Sequence, residues 1–354
     1  MSTWEQLASL PLEIDRYDLE GRELAFSEEF VRYTTLITLR GGGEEGVGED
    51  VVYDGLDHVG FQAAGGGLPL TGSWTLGSFA EHLSELDTFP DPPVRDVSRR
   101  YRTWAFESAA LDLALRQAGR SLADQLGREL QPLDYVVSMR LGAFDSDQPE
   151  TSEKMLRVLE RYPGTRFKLD PTNTWSDELI EELAATGAVD SLDLKGQYKG
   201  TPVDVETDPV LYAKLIEAFP DAWLEDPDVT DETRPILEPV RDRITWDAPI
   251  HSVDDVLALE WEPRMVNIKP SRVGSLAELG RAYDFCAERG IGAYGGGQTE
   301  LDVGRDHIQY LAALFHPDTP NDVAPRGFNA PQLPDGMPAS PIEIEPAPTG
   351  FRFA

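Results

Sequence analysis

A single cysteine, Cys286, is the only thiol in these 354 residues. That excludes an internal disulfide and any metal cluster built on cysteine. Its helical surroundings, YDFCAERG, mark it as core rather than as a nucleophile. Long hydrophobic runs are missing too. No stretch stays apolar for long enough to span a bilayer, and the opening MSTWEQLASLPLEID lacks the basic segment of a secretory signal, so a cytoplasmic protein is expected. Positive charge is scarce: 31 Lys and Arg stand against 64 Asp and Glu, a net charge of −33. Such a chain repels nucleic acid and anionic membranes at long range, and neither is an expected partner. The excess reads as a solvated acidic surface of a kind suited to a salty cytoplasm.

What the sequence does contain is a repeat. Between Thr165 and Ser275 short apolar runs recur, each closing on charge: RFKLD at 166–170, SLDLK at 191–195, AWLED at 222–226, ITWDA at 244–248 and VNIKP at 266–270. Lys168, Asp193, Glu225, Asp247 and Lys269 follow one another at intervals of 22 to 32 residues, the length of one strand–helix unit. An amphipathic helical pattern fills each interval. Parallel strands joined by right-handed helical crossovers predict an α/β fold, a (β/α) barrel with its chemistry at the C-terminal ends of the strands. YVVSMRLG at 135–142 supplies the first strand, RFKLD the second and GIGAY at 290–294 the seventh. Beyond the helical DHIQYLAALF, the stretch FHPDTPNDVAP is short and proline-rich, so the last unit is expected to be irregular or absent.

A barrel takes roughly 200–250 residues, which leaves an accessory domain. Residues 11–53 alternate with period two and predict an antiparallel meander, with a turn at glycines 41–43. Helices are predicted over about 76–87, about 99–118 and SLADQLG. The glycine-rich interval 54–75 reads as a loop whose tip would suit a flap over a pocket. The expected division is an α+β capping domain at 1–132, the barrel at 133–325 and a proline-rich tail at 326–354 that packs back on the cap.

Asp193, Glu225 and Asp247 come from three consecutive strands and would sit side by side on one rim. Close carboxylates raise one another's pKa unless a cation joins them, and a hard divalent ion such as Mg²⁺ is the natural partner. Lys168 and Lys269, on the flanking strands, would face each other across the mouth as proton carriers. Taken singly, each carboxylate is more often a helix cap or a surface charge; together with two lysines in register they point to a proton-transfer site. Glu225-Asp226 alone would also fit a glycosidase acid/base pair. Gly295-Gly296-Gly297, followed by Gln298, precede a helix and either cradle a substrate carboxylate or allow the turn. Lys195 shares a face with Asp193 and would bring a positive charge next to the metal, where it would weaken metal binding or replace part of its work, and it is a candidate substrate contact.

These residues resemble the enolase superfamily, and more narrowly its muconate-lactonising and o-succinylbenzoate-synthase-like branch. The resemblance runs over nearly the whole chain, from a capping domain with a specificity loop, through the helix ESAALDLALRQAGRSLADQLG, to NIKPSRVGS on the sixth barrel strand. It implies Asp193, Glu225 and Asp247 as Mg²⁺ ligands, with Lys168 and Lys269 as the facing lysines. The implied enzyme is an isomerase or lyase that removes the proton α to the carboxylate of a small acid through an enediolate; a homo-oligomer is compatible with it. The chain departs from the branch at three strands. The second reads Arg166, Lys168, Asp170 where the branch has Lys-x-Lys, so Asp170 is a candidate base. It would also raise the pKa of Lys168 unless it turns toward Lys195. The third ends Asp193-Leu194-Lys195 in place of Asp-x-Asn, and the fifth Asp247-Ala248 in place of Asp-Glu. No histidine falls on strand seven, so a racemase of the mandelate type is not expected. The departures keep open a superfamily-derived protein that binds a small acid without catalysis.

Overall fold

The computed structural model describes residues 1–26, 30–65, 67–142, 148–201, 203–330 and 332–354. A helix not expected from the sequence opens the chain: Ser2 and Glu5 form a capping box that starts α1 (Thr3–Ala8). The period-two stretch then folds as β1 (Pro11–Ile14), β2 (Arg16–Ala25), β3 (Val31–Gly41) and β4 (Glu44–Asp50), with β2, β3 and β4 in one antiparallel sheet. Gly46 and Gly48 let β4 lie directly on a helix. A Cβ at either would stand 2.2 Å from Ala109 O or 2.0 Å from Ala105 O.

The interval 54–75 corrects the reading as a loop. It holds α2 (Gly55–Ala64) and β5 (Gly72–Thr75), which pairs with β1. His58 and Phe61 turn inward one helical turn apart, while Leu56 and Val59 stay exposed, so the apolar pattern that betrays a helix is inverted. Next come α3 (Leu76–Ser84), α4 (Ser98–Gln117) and α5 (Leu122–Leu126). Helix α4 is buried almost throughout, from Tyr101 to Leu115.

The barrel units follow in order as β6 (Val137–Met139), α6 (Glu153–Arg161), β7 (Phe167–Leu169), α7 (Asp177–Ala185), β8 (Val189–Asp193), α8 (Pro209–Ala218), β9 (Trp223–Glu225), α9 (Arg234–Leu237), β10 (Ile244–Trp246), α10 (Val253–Ala258), β11 (Met265–Ile268), α11 (Pro270–Val273), α12 (Leu276–Arg289), β12 (Gly292–Gly295) and α13 (Val303–Phe315). Strands β6 to β12 form one parallel sheet in sequence order. Closure is irregular. Among the described residues no eighth strand forms; instead Asn321 bridges Tyr135 before β6, and Asp322 bridges Gly296 after β12.

Asn321 holds this seam with every polar atom it has. Its Oδ1 accepts from Gly295 N at 2.6 Å and from His316 Nδ1 at 2.7 Å, and its Nδ2 donates to the carbonyls of Asp134, His316 and Thr319 at 2.9–3.0 Å. Replacing it strands buried partners, each costing about 1–3 kcal/mol. Asn321→Ala is expected to lower unfolding stability in urea by roughly 3–5 kcal/mol. A loss under about 1 kcal/mol would show that closure does not depend on it.

The chain's end runs along the cap. Leu122 N donates to Gly350 O at 2.9 Å, Phe351 is fully buried, and Arg352 Nε sits 2.7 Å from Asp112 Oδ2. No helix among the described residues is long and apolar enough to cross a membrane.

Candidate active site at the barrel mouth

Parallel strands carry their C-terminal ends to one rim, so the charged residues that close β7 to β11 meet there. Side chains two apart on a strand share a face, and the inward face of each of these strands ends in charge. Lys168 Nζ donates to Glu225 Oε1 and lies 3.4 Å from Asp193 Oδ2 and 3.3 Å from Asp322 Oδ2. Lys195 Nζ reaches Asp193 Oδ2 at 2.5 Å and Asp170 Oδ2 at 3.3 Å. Asp170 therefore faces Lys195 and not Lys168, and its Oδ1 has no hydrogen-bond partner. Arg166, the other residue in doubt on β7, points away and pairs with Asp190. That leaves Lys168 as the inward amine of its strand.

On the opposite side Lys269 Nζ donates to Asp247 Oδ2 at 2.7 Å. Tyr198 OH reaches the same oxygen at 3.0 Å, while Arg272 Nη1 takes Asp247 Oδ1 and Asp247 O, each at 2.6 Å. The expected trio Asp193, Glu225 and Asp247 is thus not the trio drawn together. Among the described residues, oxygens of Asp193, Glu225 and Asp226 lie within 4.8 Å of one another. Asp247 is not in this group, and both its oxygens are held by Lys269, Tyr198 and Arg272. Asp226, with φ 50 in the left-handed region, turns back so that its two oxygens accept Asp247 N and Ala248 N, each at 2.8 Å. A non-glycine residue in that conformation persists only when its surroundings enforce it.

Charge balance tests whether these groups suit a divalent cation. Six carboxylates, Asp170, Asp193, Glu225, Asp226, Asp247 and Asp322, meet four cations, Lys168, Lys195, Lys269 and Arg272. With all six ionised the excess would be two negative charges, which one divalent ion would cancel. Burial, reinforced by Asp193, Asp247 and Asp226, pushes Glu225 well above the usual carboxylate range against the pull of Lys168. Burial with Asp247 and Asp193 pushes Asp226 up to about 7. Burial raises Asp170 as well, although Lys195 opposes it. At Asp193 burial is outweighed by Lys195 and Lys168, and at Asp247 by Arg272 and Lys269, so both stay below the usual range. Two of the groups that are costly to ionise, Glu225 and Asp226, belong to the cluster that a hard cation would join, and this all-carboxylate donor set fits Mg²⁺. Lys168 is held above the ordinary lysine range: burial works against its charge, but Glu225, Asp193 and Asp322 prevail.

The loop after β12 forms one wall. The Lys269 side chain lies across Gly296, where a Cβ would stand 2.5 Å from Lys269 Cε. Gln298 is buried and donates from Nε2 to Tyr101 OH on α4 at 3.3 Å. A cavity of about 50 Å³ opens beside this loop, lined by Leu24, Phe26, Thr299, Leu301, Arg326 and Asn329 among others. Trp175 is buried and donates from Nε1 to Glu150 Oε2 at 2.9 Å.

Several rim residues escape a sequence reading. Tyr294, whose hydroxyl donates to Glu225, and Asp322 carry no motif, and Arg272 and Tyr198 lie outside the strand ends. One signal was present. The sequence has only six lysines, Lys154, Lys168, Lys195, Lys199, Lys214 and Lys269, and three of them converge on this rim.

Comparison with known proteins agrees with this architecture. An o-succinylbenzoate synthase from Geobacillus stearothermophilus is 31% identical over 230 residues, which cover 62% of this chain and 58% of that protein. An N-succinylamino acid racemase from Thermus thermophilus is 26% identical over 332 residues, 85% of this chain and 81% of that protein. The chain thus spans somewhat more than half the length of the first. Among solved structures, an enolase-superfamily member from Listeria innocua superposes with a TM-score of 0.64 at 19% identity, covering 89% of this chain and 86% of that one. A dipeptide epimerase from Methylococcus capsulatus, complexed with Mg ion, gives 0.64 at 18% identity, with 90% and 88% covered. At these identities the likeness is one of fold. Family models described as the N-terminal and C-terminal domains of a domain of unknown function, DUF8230, match residues 5–125 and 129–330, so the chain belongs to the DUF8230 family and has the capped-barrel fold of the enolase superfamily.

Proposed function

We propose that this protein is a Mg²⁺-dependent isomerase or lyase that removes the proton α to the carboxylate of a small acid. The observation that carries the reading is a pair of buried amines, Lys168 and Lys269, on barrel strands separated by three others, each paired with carboxylates of one acidic rim. Lys168 rises from β7 and Lys269 follows β11, with β8, β9 and β10 between them, so the two Nζ atoms address the mouth from opposite sides. One can take the proton from one face of the α-carbon, while the other returns a proton or stabilises charge from the opposite face. Asp193, Glu225 and Asp247 would hold the ion, which when bound supplies positive charge to the substrate carboxylate. Asp226 commits both oxygens to backbone amides, and we assign it to bracing the end of β10. Lys195, Gly296 and Gln298 would meet the substrate, Lys195 held in place by Asp170. In this reading residues 1–132 cap the mouth, 133–325 carry the site, 326–354 tie the tail to the cap, and the protein works in the cytoplasm.

A second reading, a site that binds a small acid without catalysis, draws support from Lys168, whose ammonium is held by three carboxylates. One experiment separates the two. Solvent deuterium exchange into a panel of carboxylic acids, with and without Mg²⁺, should label the α-position of at least one acid only when the ion is present. Binding of an acid with no label in any condition would leave the non-catalytic reading.

A further inference from the structure

Strands β3 and β4 of the cap bring two buried charges of opposite sign to the barrel mouth. Arg32 is 1% exposed, and its guanidinium serves four backbone carbonyls. On the cap side Nη1 donates to Val52 O at 2.5 Å and Nη2 to Val51 O at 2.6 Å. On the barrel side Nη2 donates to Gln298 O at 2.9 Å and Nε to Thr299 O at 3.3 Å. Glu49, also 1% exposed, does the converse. Its Oε1 accepts from Leu301 N at 2.7 Å, and its Oε2 from Asp302 N at 3.0 Å and Gly304 N at 2.8 Å, while Thr34 Oγ1 donates to Oε1 at 2.8 Å.

One segment, 298–304, is therefore held by its carbonyls at the start and by its amides at the end, both from the cap. Arg32 and Thr34 are two apart on β3 and share a face, which directs both at this segment. The grip is specific in its chemistry. A planar fork of donors can span several carbonyls at once, which a lysine ammonium cannot. A carboxylate accepts several amides at the start of α13, where the helix dipole favours negative charge. The segment is shaped to receive both groups. Thr299 sits at φ 56, a region that β-branched residues avoid, and a Cβ on Gly304 would stand 2.8 Å from Glu49 Oε2.

We propose that Arg32 and Glu49 are positioning residues through which the cap sets the conformation of the mouth loop 296–304, and hence the face that meets the substrate. The link to substrate rests on the reading of Gly296 and Gln298 given above; the link to the loop does not. The test uses full-length Arg32→Lys, Glu49→Gln and Thr34→Val, the last keeping both charges and the side-chain shape so that folding is preserved. In hydrogen–deuterium exchange followed by mass spectrometry, amides of 298–304 should exchange about tenfold faster or more in each variant, with the barrel strands unchanged. Unchanged exchange in 298–304, or an increase spread evenly over the cap, overturns the proposal. With an acid that the wild-type protein labels, Arg32→Lys should raise KM about tenfold with kcat within about threefold and Mg²⁺ affinity unchanged. A fall in kcat at constant KM overturns the link to substrate. If the wild-type protein labels no acid, the proton-abstraction reading fails, and the exchange of 298–304 still decides the clamp.

Discussion

Replacing Lys269 by alanine should slow deuterium exchange into the substrate by about 10²–10⁴-fold and leave the barrel folded. The amine sits at the end of β11 over Gly296, its one carboxylate partner among the described residues is Asp247, and Arg272 remains to balance that carboxylate when the lysine is gone. Lys168→Ala should lose exchange to a similar degree, but with a second consequence. Lys168 is the counter-charge of Glu225, Asp193 and Asp322, so its removal leaves buried carboxylates uncompensated at a cost of about 3–5 kcal/mol in stability. The stability loss belongs to the protein without Mg²⁺ and should shrink when the ion is added. Asp170→Asn is the control, because Asp170 faces Lys195 and not Lys168, and it should cost less than about tenfold in rate. Should Asp170→Asn abolish exchange while Lys168→Ala retains it, the base is the carboxylate and the assignment of the lysines falls.

Glu225→Gln should weaken Mg²⁺ binding by about 100-fold or more, measured by calorimetry, with the melting transition still cooperative. Glutamine fits the same fully buried space and can still accept from Tyr294, so the expected loss is one of charge and not of shape. Unchanged affinity would remove the basis for a metal site at this rim. Asp247→Asn and Asp226→Asn then identify the third ligand: the proposed set predicts that the first is the more damaging. The affinity should also depend on pH with a definite sign. Ligands bind the ion deprotonated, and burial with neighbouring carboxylates pushes Glu225, a proposed ligand, well above the usual carboxylate range. Affinity should therefore fall as the pH is lowered, because protons compete for the same oxygens.

How much of this was legible in the sequence depends on whether a feature is local and periodic. The spacing of Lys168, Asp193, Glu225, Asp247 and Lys269 reports a βα repeat, and parallel strands place all five at one rim whatever the loops do. The rim's acidic composition follows. Which charge faces which does not, because that depends on packing between strands that are distant in sequence. Only the folded barrel turns Asp170 to Lys195, sends Arg166 out to Asp190, and bends Asp226 into a left-handed backbone that braces β10. Asp322 enters the site through a seam that forms without a strand, from a proline-rich stretch with no periodicity to read. Arg32 and Glu49 make the same point across the whole chain, since their partners at 298–304 lie more than 250 residues away. Periodic burial is written along the chain because each element must hide its own apolar face. The pairing of buried charges is decided by three-dimensional proximity, where Coulomb energy and desolvation act together and sequence separation has no meaning.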